Sequence, residues 1–248
     1  MNNTGISWTD YTWNPVSGCT KVSEGCKFCY AEEWSKRWHR SFQVQLHPEK
    51  LKEVKRIPSG SKVFVNSMSD LFHPDVSNYF LYLAFIEMKW RKDVIFQILT
   101  KRPERMQQFF RSTGQPIMSN MWLGVSVESP SHKDRISKLV EVFSENQYES
   151  EKASVSFVSF EPLLGDIGTV DLSHISWVII GGESGPYHRP MEMEWARNIV
   201  RQAKEQNVAV WMKQLGGLRP GGKLEDFPED LRIREFPNEM KMMEAAVT

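Results

Sequence analysis

Cys19, Cys26 and Cys29 are the only thiols in this 248-residue chain, and they fall in one short run, Ser17-Gly-Cys-Thr-Lys-Val-Ser-Glu-Gly-Cys-Lys-Phe-Cys29. Three thiolates this close can converge on one metal centre, with Gly18 and Gly25 relaxing the backbone between them. The C-x2-C pair is a common metal-ligand spacing, but a closed structural zinc site takes four protein ligands. If an Asp, Glu or His completed the set, zinc would suffice. A cluster of four irons and four sulfides held by three cysteines instead leaves one iron open to a ligand that is not protein, and an open iron points to chemistry. The histidines are scattered without metal-ligand spacing. His73, beside Asp70 and Asp75, reads as a surface or capping residue.

Something must hold those thiols against a substrate, and the apolar runs say what. Seven short runs rich in β-branched or aromatic residues are expected as strands: Thr9–Trp13, Lys62–Asn66, Asp93–Leu99, Trp122–Val127, Ser154–Phe160, Trp177–Ile180 and Val208–Met212. Several are apolar almost throughout, as in parallel strands buried on both faces. Helical patterns lie between them at Ala31–Arg40, Asn78–Arg91, Pro103–Arg111, Ser131–Ser144 and Glu192–Gln206. Strand and helix in alternation imply an α/β fold. The expected architecture is a partial or distorted (β/α) barrel of six to seven parallel units, spanning 1–217, with a short C-terminal extension at 218–248.

In such barrels the chemistry sits at the C-terminal ends of the strands. Nearly every run here ends in a charged or amide side chain: Asn66 to Asp70, then Lys101 and Arg102, Ser126 and Glu128, Glu161, Glu183, and finally Lys213 and Gln214. Residues that follow a strand are often polar merely because they are exposed, but the whole set beside a three-cysteine cluster reads as a site. Gly181-Gly182 would let the backbone approach a ligand closely.

Composition narrows the partners. Lys plus Arg and Asp plus Glu both number 31, so bulk electrostatic attachment to nucleic acid or membrane is not favoured. Lys101, Arg102, Arg105 and Arg111 form a local basic group that suits phosphates or simply a solvated helix face. An odd number of cysteines in a long chain favours a reducing, cytoplasmic setting. No apolar run is long enough for a membrane span. The nine tryptophans are expected mainly in the core and rim, with some lining a cavity.

Taken together, the motifs resemble the radical S-adenosylmethionine (SAM) superfamily, and more closely a family of phage- and prophage-encoded three-cysteine-motif proteins. The carrying residues are Gly5-Ile-Ser-Trp-Thr-Asp10, Trp13-Asn-Pro-Val-Ser-Gly-Cys19, Gly25-Cys-Lys-Phe-Cys-Tyr-Ala31, Leu99-Thr-Lys-Arg-Pro103, Trp122-Leu-Gly-Val-Ser126, Ser159-Phe-Glu-Pro-Leu163 and Gly181-Gly-Glu-Ser-Gly185. The resemblance implies an enzyme with two cofactors. Cys19, Cys26 and Cys29 would ligate three irons of a 4Fe-4S cluster, and SAM would chelate the fourth. An external one-electron donor would drive cleavage of SAM to a 5′-deoxyadenosyl radical that abstracts hydrogen from the substrate. Tyr30 would flank the adenine. Ser67, Ser69 or Asp70 would meet the SAM amino group, Lys101 its carboxylate, and Ser126 with Glu128 the ribose. Glu161, Glu183 and Lys213 would face a substrate that is a small molecule, a nucleotide or a nucleic acid. The C-x6-C-x2-C spacing departs from the usual C-x3-C-x2-C by three residues in the first loop, and strand two lacks the common Gly-Gly-Glu. Two other readings are a non-catalytic iron–sulfur or zinc module of phage origin, and a metal-independent barrel enzyme using Glu161, Glu183 and Lys213 in general acid–base roles.

Overall fold

The computed structural model describes residues 2–146, 154–219 and 221–237. All seven expected runs form strands. In chain order the strands are β1 (Asn2–Asn3), β2 (Tyr11–Trp13), β3 (Val16–Ser17), β4 (Gln45–Leu46), β5 (Lys62–Val65), β6 (Ile95–Thr100), β7 (Met121–Ser126), β8 (Ser156–Phe160), β9 (Trp177–Gly181) and β10 (Ala209–Gln214). One sheet runs β1-β2-β5-β6-β7-β8-β9-β10. From β2 to β10 every neighbouring pair is parallel, and β1 pairs antiparallel with β2 at the edge. The sheet curls into a half-barrel, the partial (β/α) barrel expected.

The helices are α1 (Tyr30–Arg37), α2 (Asn78–Lys89), α3 (Pro103–Thr113), α4 (Asp134–Glu145) and α5 (Met193–Glu205). Each occupies one crossover, whereas β8 returns to β9 without a helix. Their starts follow local chemistry. The Ser77 hydroxyl caps α2 by accepting from the Phe80 amide at 3.2 Å. Pro103 opens α3, where a missing amide hydrogen costs nothing. None of these helices is long and apolar enough to cross a membrane.

Two apolar layers result from strands buried on both faces. The outer layer packs α2 to α5 on the sheet around residues such as Phe85, Phe96, Phe109 and Val125. The inner layer is an aromatic plug. Trp177 lies within 5.7 to 6.1 Å, ring centre to ring centre, of Trp8, Trp122, Phe157 and Trp211. Four of the nine tryptophans are thus spent closing the inside of the barrel, the core role expected for most of them. Trp8 also forms part of a cavity wall above, so the plug doubles as the floor of the site.

The cysteines lie on an excursion between β2 and β5. Its neck is the antiparallel pair β3–β4, with Val16 opposite Leu46 and Ser17 opposite Gln45. At the far edge of the sheet the chain returns along β10. The Met212 amide donates to the Ile233 carbonyl at 2.9 Å and the Glu235 amide to Val210 at 2.8 Å. Phe236 then stacks against Trp211 at 4.6 Å and Trp177 at 5.5 Å.

Candidate active site

The cysteine excursion rests on a buried carboxylate. Glu128, fully buried just beyond β7, accepts from the Ser23 hydroxyl at 2.7 Å, from Arg135 at 2.7 Å and from Lys101 at 3.3 Å. Burial alone would raise its pKa, but Lys101, Arg135 and Ser23 together hold it below the ordinary 4.5. A methyl group on Gly25 would come within 2.5 Å of the Glu128 side chain. Gly25 is therefore required by contact with Glu128. The expected role of Glu128 at a ribose is corrected: both of its oxygens are engaged inside the protein, beneath the second cysteine.

Asp70 is likewise engaged inside the protein. Its carboxylate accepts from the Thr100 hydroxyl at 2.7 and 2.9 Å, the Phe72 amide at 2.9 Å and the Lys101 amide at 3.1 Å. Ser69 donates to the Val16 carbonyl at 2.8 Å. Neither lines the cavity, so the expected contacts of Ser69 and Asp70 with a ligand amino group do not follow from their placement. Ser69 clamps the start of the excursion instead, and Asp70 ties the segment after β5 to the end of β6. Arg102 reaches across to Thr20, donating at 2.8 Å to its hydroxyl and 3.1 Å to its carbonyl. His73 is buried rather than on the surface. Its Nδ1 accepts from the Asp75 amide at 3.1 Å, which leaves Nε2 to donate to the Thr20 hydroxyl at 2.8 Å. The capping role expected for it holds. Of the basic group read as suiting phosphates or a solvated helix face, Arg105 is bonded to Asn78 and Arg111 to Glu145.

The three thiols are free and partly buried. Burial, then Asp70, pushes the Cys19 thiol up to about 11 against the opposing pull of Arg102. Cys26 accompanies Ser23 at 3.6 Å. Lys101 is held charged: burial opposes its charge, but Glu128 and the Cys26 and Cys29 sulfurs outweigh that. Among the described residues no three His, Cys, Asp or Glu side chains converge on one ion. Cysteines on a four-iron cluster bind different irons and so need no such single point. Free thiols on one excursion, next to a lysine charge, fit that donor set.

Beside them opens a cavity of about 510 Å³ at the C-terminal ends of the strands, within the range of small-molecule and cofactor sites. Cys29, Tyr30, Ser67, Lys101, Ser126, Glu161, Glu183 and Lys213 all line it. Two groups that the sequence reading missed, Asn14 and Arg189, help shape it, together with Tyr30. Asn14 Oδ1 accepts from Ser67 at 3.2 Å and from the Met68 amide at 3.1 Å, fixing the turn after β5. Tyr30 donates to the Ser67 carbonyl, which ties α1 to the same turn. Arg189 grips Glu183 through Nε at 2.8 Å and the backbone amide at 2.9 Å, and donates to the Glu24 carbonyl at 3.0 Å. Asn14 lay inside a quoted motif, Trp13-Asn-Pro; Arg189 had no sequence signal. Glu161 and Lys213 pair directly inside the cavity. At Gly182 a Cβ would fall 2.3 Å from the Gly216 amide nitrogen, so the glycine that lines the cavity also admits the following loop.

The chain belongs to the family described as "Protein of unknown function (DUF5131)", matched over residues 3–241. No curated protein sequence matches it. Among solved structures it is similar to spore photoproduct lyase. A cysteine-to-serine mutant aligns with a TM-score of 0.51 and 10% identity, over 84% of this chain and 65% of that one. A double mutant with bound AdoMet and dinucleoside spore photoproduct aligns with a TM-score of 0.50 and 10% identity, over 82% and 64%. This chain thus spans slightly under two thirds of those proteins, and the likeness is one of fold.

Proposed function

We propose that this chain is a radical SAM enzyme acting on a small-molecule or nucleotide substrate. One observation carries the reading: three free cysteines sit on a single excursion whose last member forms part of the wall of a cavity at the C-terminal ends of a radical-SAM-type half-barrel. Cys19, Cys26 and Cys29 would hold the 4Fe-4S cluster and the cavity would take SAM. Together these cofactors supply a 5′-deoxyadenosyl radical when an external donor gives one electron. The protein's part is to bind and orient. Lys101 offers a fixed positive charge to a carboxylate, and Ser126 and Ser67 offer hydroxyls. Tyr30 presents a ring to a base. Glu161 and Lys213 can exchange a proton between carboxylate and amine on the substrate side, and Glu183 is held in place by Arg189. The aromatic floor formed by Trp8 and Phe64 keeps bulk water from below.

The same reading takes 1–217 as the barrel proper and 218–248 as an extension, of which 233–235 run along the β10 edge. It also places the chain with the phage-encoded three-cysteine proteins that it resembles. The AdoMet bound in the spore photoproduct lyase structure supports the cofactor assignment, and the dinucleoside there supports a nucleotide-like substrate.

The test is anaerobic. Protein reconstituted with iron and sulfide, reduced in the presence of SAM, should yield 5′-deoxyadenosine by mass spectrometry, and Cys26→Ala should not. A colourless protein holding one zinc would instead establish the structural-metal reading.

A further inference from the structure

Two aromatic shelves begin in the cavity wall and run out onto the surface. Phe28 lines the cavity and pairs with Tyr187 at 5.7 Å, ring centre to ring centre. Trp34 lines it too and pairs with Trp38 at 6.1 Å. Tyr187 is 63% exposed and Trp38 59% exposed. Large rings left in water in one locality mark a binding surface more often than a solvated face.

Cations are interleaved with these rings. Arg40 lies 5.3 Å from the Trp34 ring centre, and Lys27 and Arg189 lie 5.1 and 5.3 Å from that of Phe28. The local acids are already engaged. Glu32 and Glu33 are held by Lys21 and Lys36, and Glu24 by Ser129 and His132. Among the described residues, Lys27, Arg37 and Arg40 have no carboxylate within ion-pair distance, so the shelves carry uncompensated positive charge. Stacking rings with free cations between them suit one ligand chemistry, unpaired bases on a phosphate backbone. An acidic peptide would use the cations and leave the flat ring faces without a partner.

We infer that these shelves bind single-stranded nucleic acid, so that the nucleotide entering the cavity is part of a polymer. This rests on the cavity being the substrate site and sharpens the substrate class of the reading above.

Binding is read by fluorescence anisotropy on the purified full chain, using labelled oligothymidylate, oligouridylate and a mixed-sequence duplex. Micromolar, salt-sensitive binding of one or both single strands, weaker for duplex, is expected. Preference for thymidylate or uridylate then identifies DNA or RNA as the source. Trp38→Ala and Tyr187→Ala should each weaken binding about fivefold or more, as loss of one stacked base requires. Arg40→Ala should lower the salt slope by about 0.7. Trp90→Ala, at a 78% exposed ring just after α2, should change nothing. Equal or tighter duplex binding, no binding, or indifference to both Trp38→Ala and Tyr187→Ala would overturn the inference. Because 5′-deoxyadenosine formation is measured separately, binding without it would sink the SAM reading alone, and its formation without binding would sink this one alone.

Discussion

Glu128 shows how much of the cysteine excursion depends on one side chain. It is fully buried, and it neutralises Lys101 and Arg135 while holding Ser23. Removing one partner from a buried charge cluster leaves the others uncompensated, so Glu128→Gln should lower stability by about 3–5 kcal/mol in urea unfolding. The sign with pH follows from linkage. The folded pKa lies below the ordinary 4.5, so the carboxylate's contribution is complete above pH 4.5 and is lost as pH falls through the folded value. The gap between wild type and Glu128→Gln should therefore be constant from neutral pH down to about 4.5 and shrink below it. A gap that widened in acid would contradict the charge assignment. Gly25→Ala probes the same contact from the other side. Its methyl group would lie 2.5 Å from Glu128 Cγ and 2.6 Å from Oε1, and Glu128 is too firmly bonded to yield. The excursion must move instead, and iron and sulfide content after reconstitution should fall well below wild type. Full loading of the variant would show that Cys26 tolerates the shift.

The β10 edge and its cover set the limits of the barrel at the level of elements. Arg234 donates to the Met212, Lys213 and Gly222 carbonyls, and Trp177 Nε1 donates to the Glu235 carbonyl at 2.9 Å. Ending the chain after Gly222 would strip those bonds, expose a strand edge and uncover the aromatic plug. The truncated protein should aggregate on warming, seen as light scattering well below the wild-type transition. Phe236→Ala alone should cost toward the lower end of the about 3–5 kcal/mol typical of a buried Phe, because Phe236 is only partly buried. The long apolar runs made the parallel strands and their helices legible, since two-sided burial writes itself into composition over several residues. β1, β3 and β4, of two residues each, carry no such pattern. Nor does the return of 233–236 along β10, whose pairing comes from backbone bonds made far from any local signal. At the site, the residues that strand-end position singles out, Ser67, Lys101, Ser126, Glu161, Glu183 and Lys213, line one cavity. Ser69, Asp70 and Glu128 lie outside it, because whether a strand-end polar group turns toward the cavity or toward an adjacent segment depends on partners distant in sequence: Val16 for Ser69, Thr100 for Asp70 and Ser23 for Glu128.

Across the whole molecule, the open side of the half-barrel is where binding energy should appear as stability. One side of the cavity is rigid: β5 to β10 are tied by a continuous parallel ladder and floored by the plug. The other side is the cysteine excursion, joined to the barrel by discrete links, chiefly Ser23 to Glu128, Arg102 to Thr20, Arg189 to Glu24 and Tyr30 to Ser67. A ligand that touches both sides couples them and stabilises the folded state by mass action. At a SAM concentration of about 100 Kd the gain is about 2.7 kcal/mol. For a chain of this length each kcal/mol shifts the melting temperature by about 2–4 °C, so the expected rise is about 5–11 °C. The size of that rise should depend on the iron–sulfur cluster. Without it, SAM would keep only the cavity contacts proposed for it, Lys101 and Ser126 among them, and the rise at the same SAM concentration should be much smaller. Calorimetric scans of reconstituted and metal-free protein, with and without SAM, separate these cases. A large shift in the reconstituted protein alone fits a cofactor held jointly by cluster and cavity. An equal shift in both would place SAM in the cavity without iron, and no shift in either would remove it from the site.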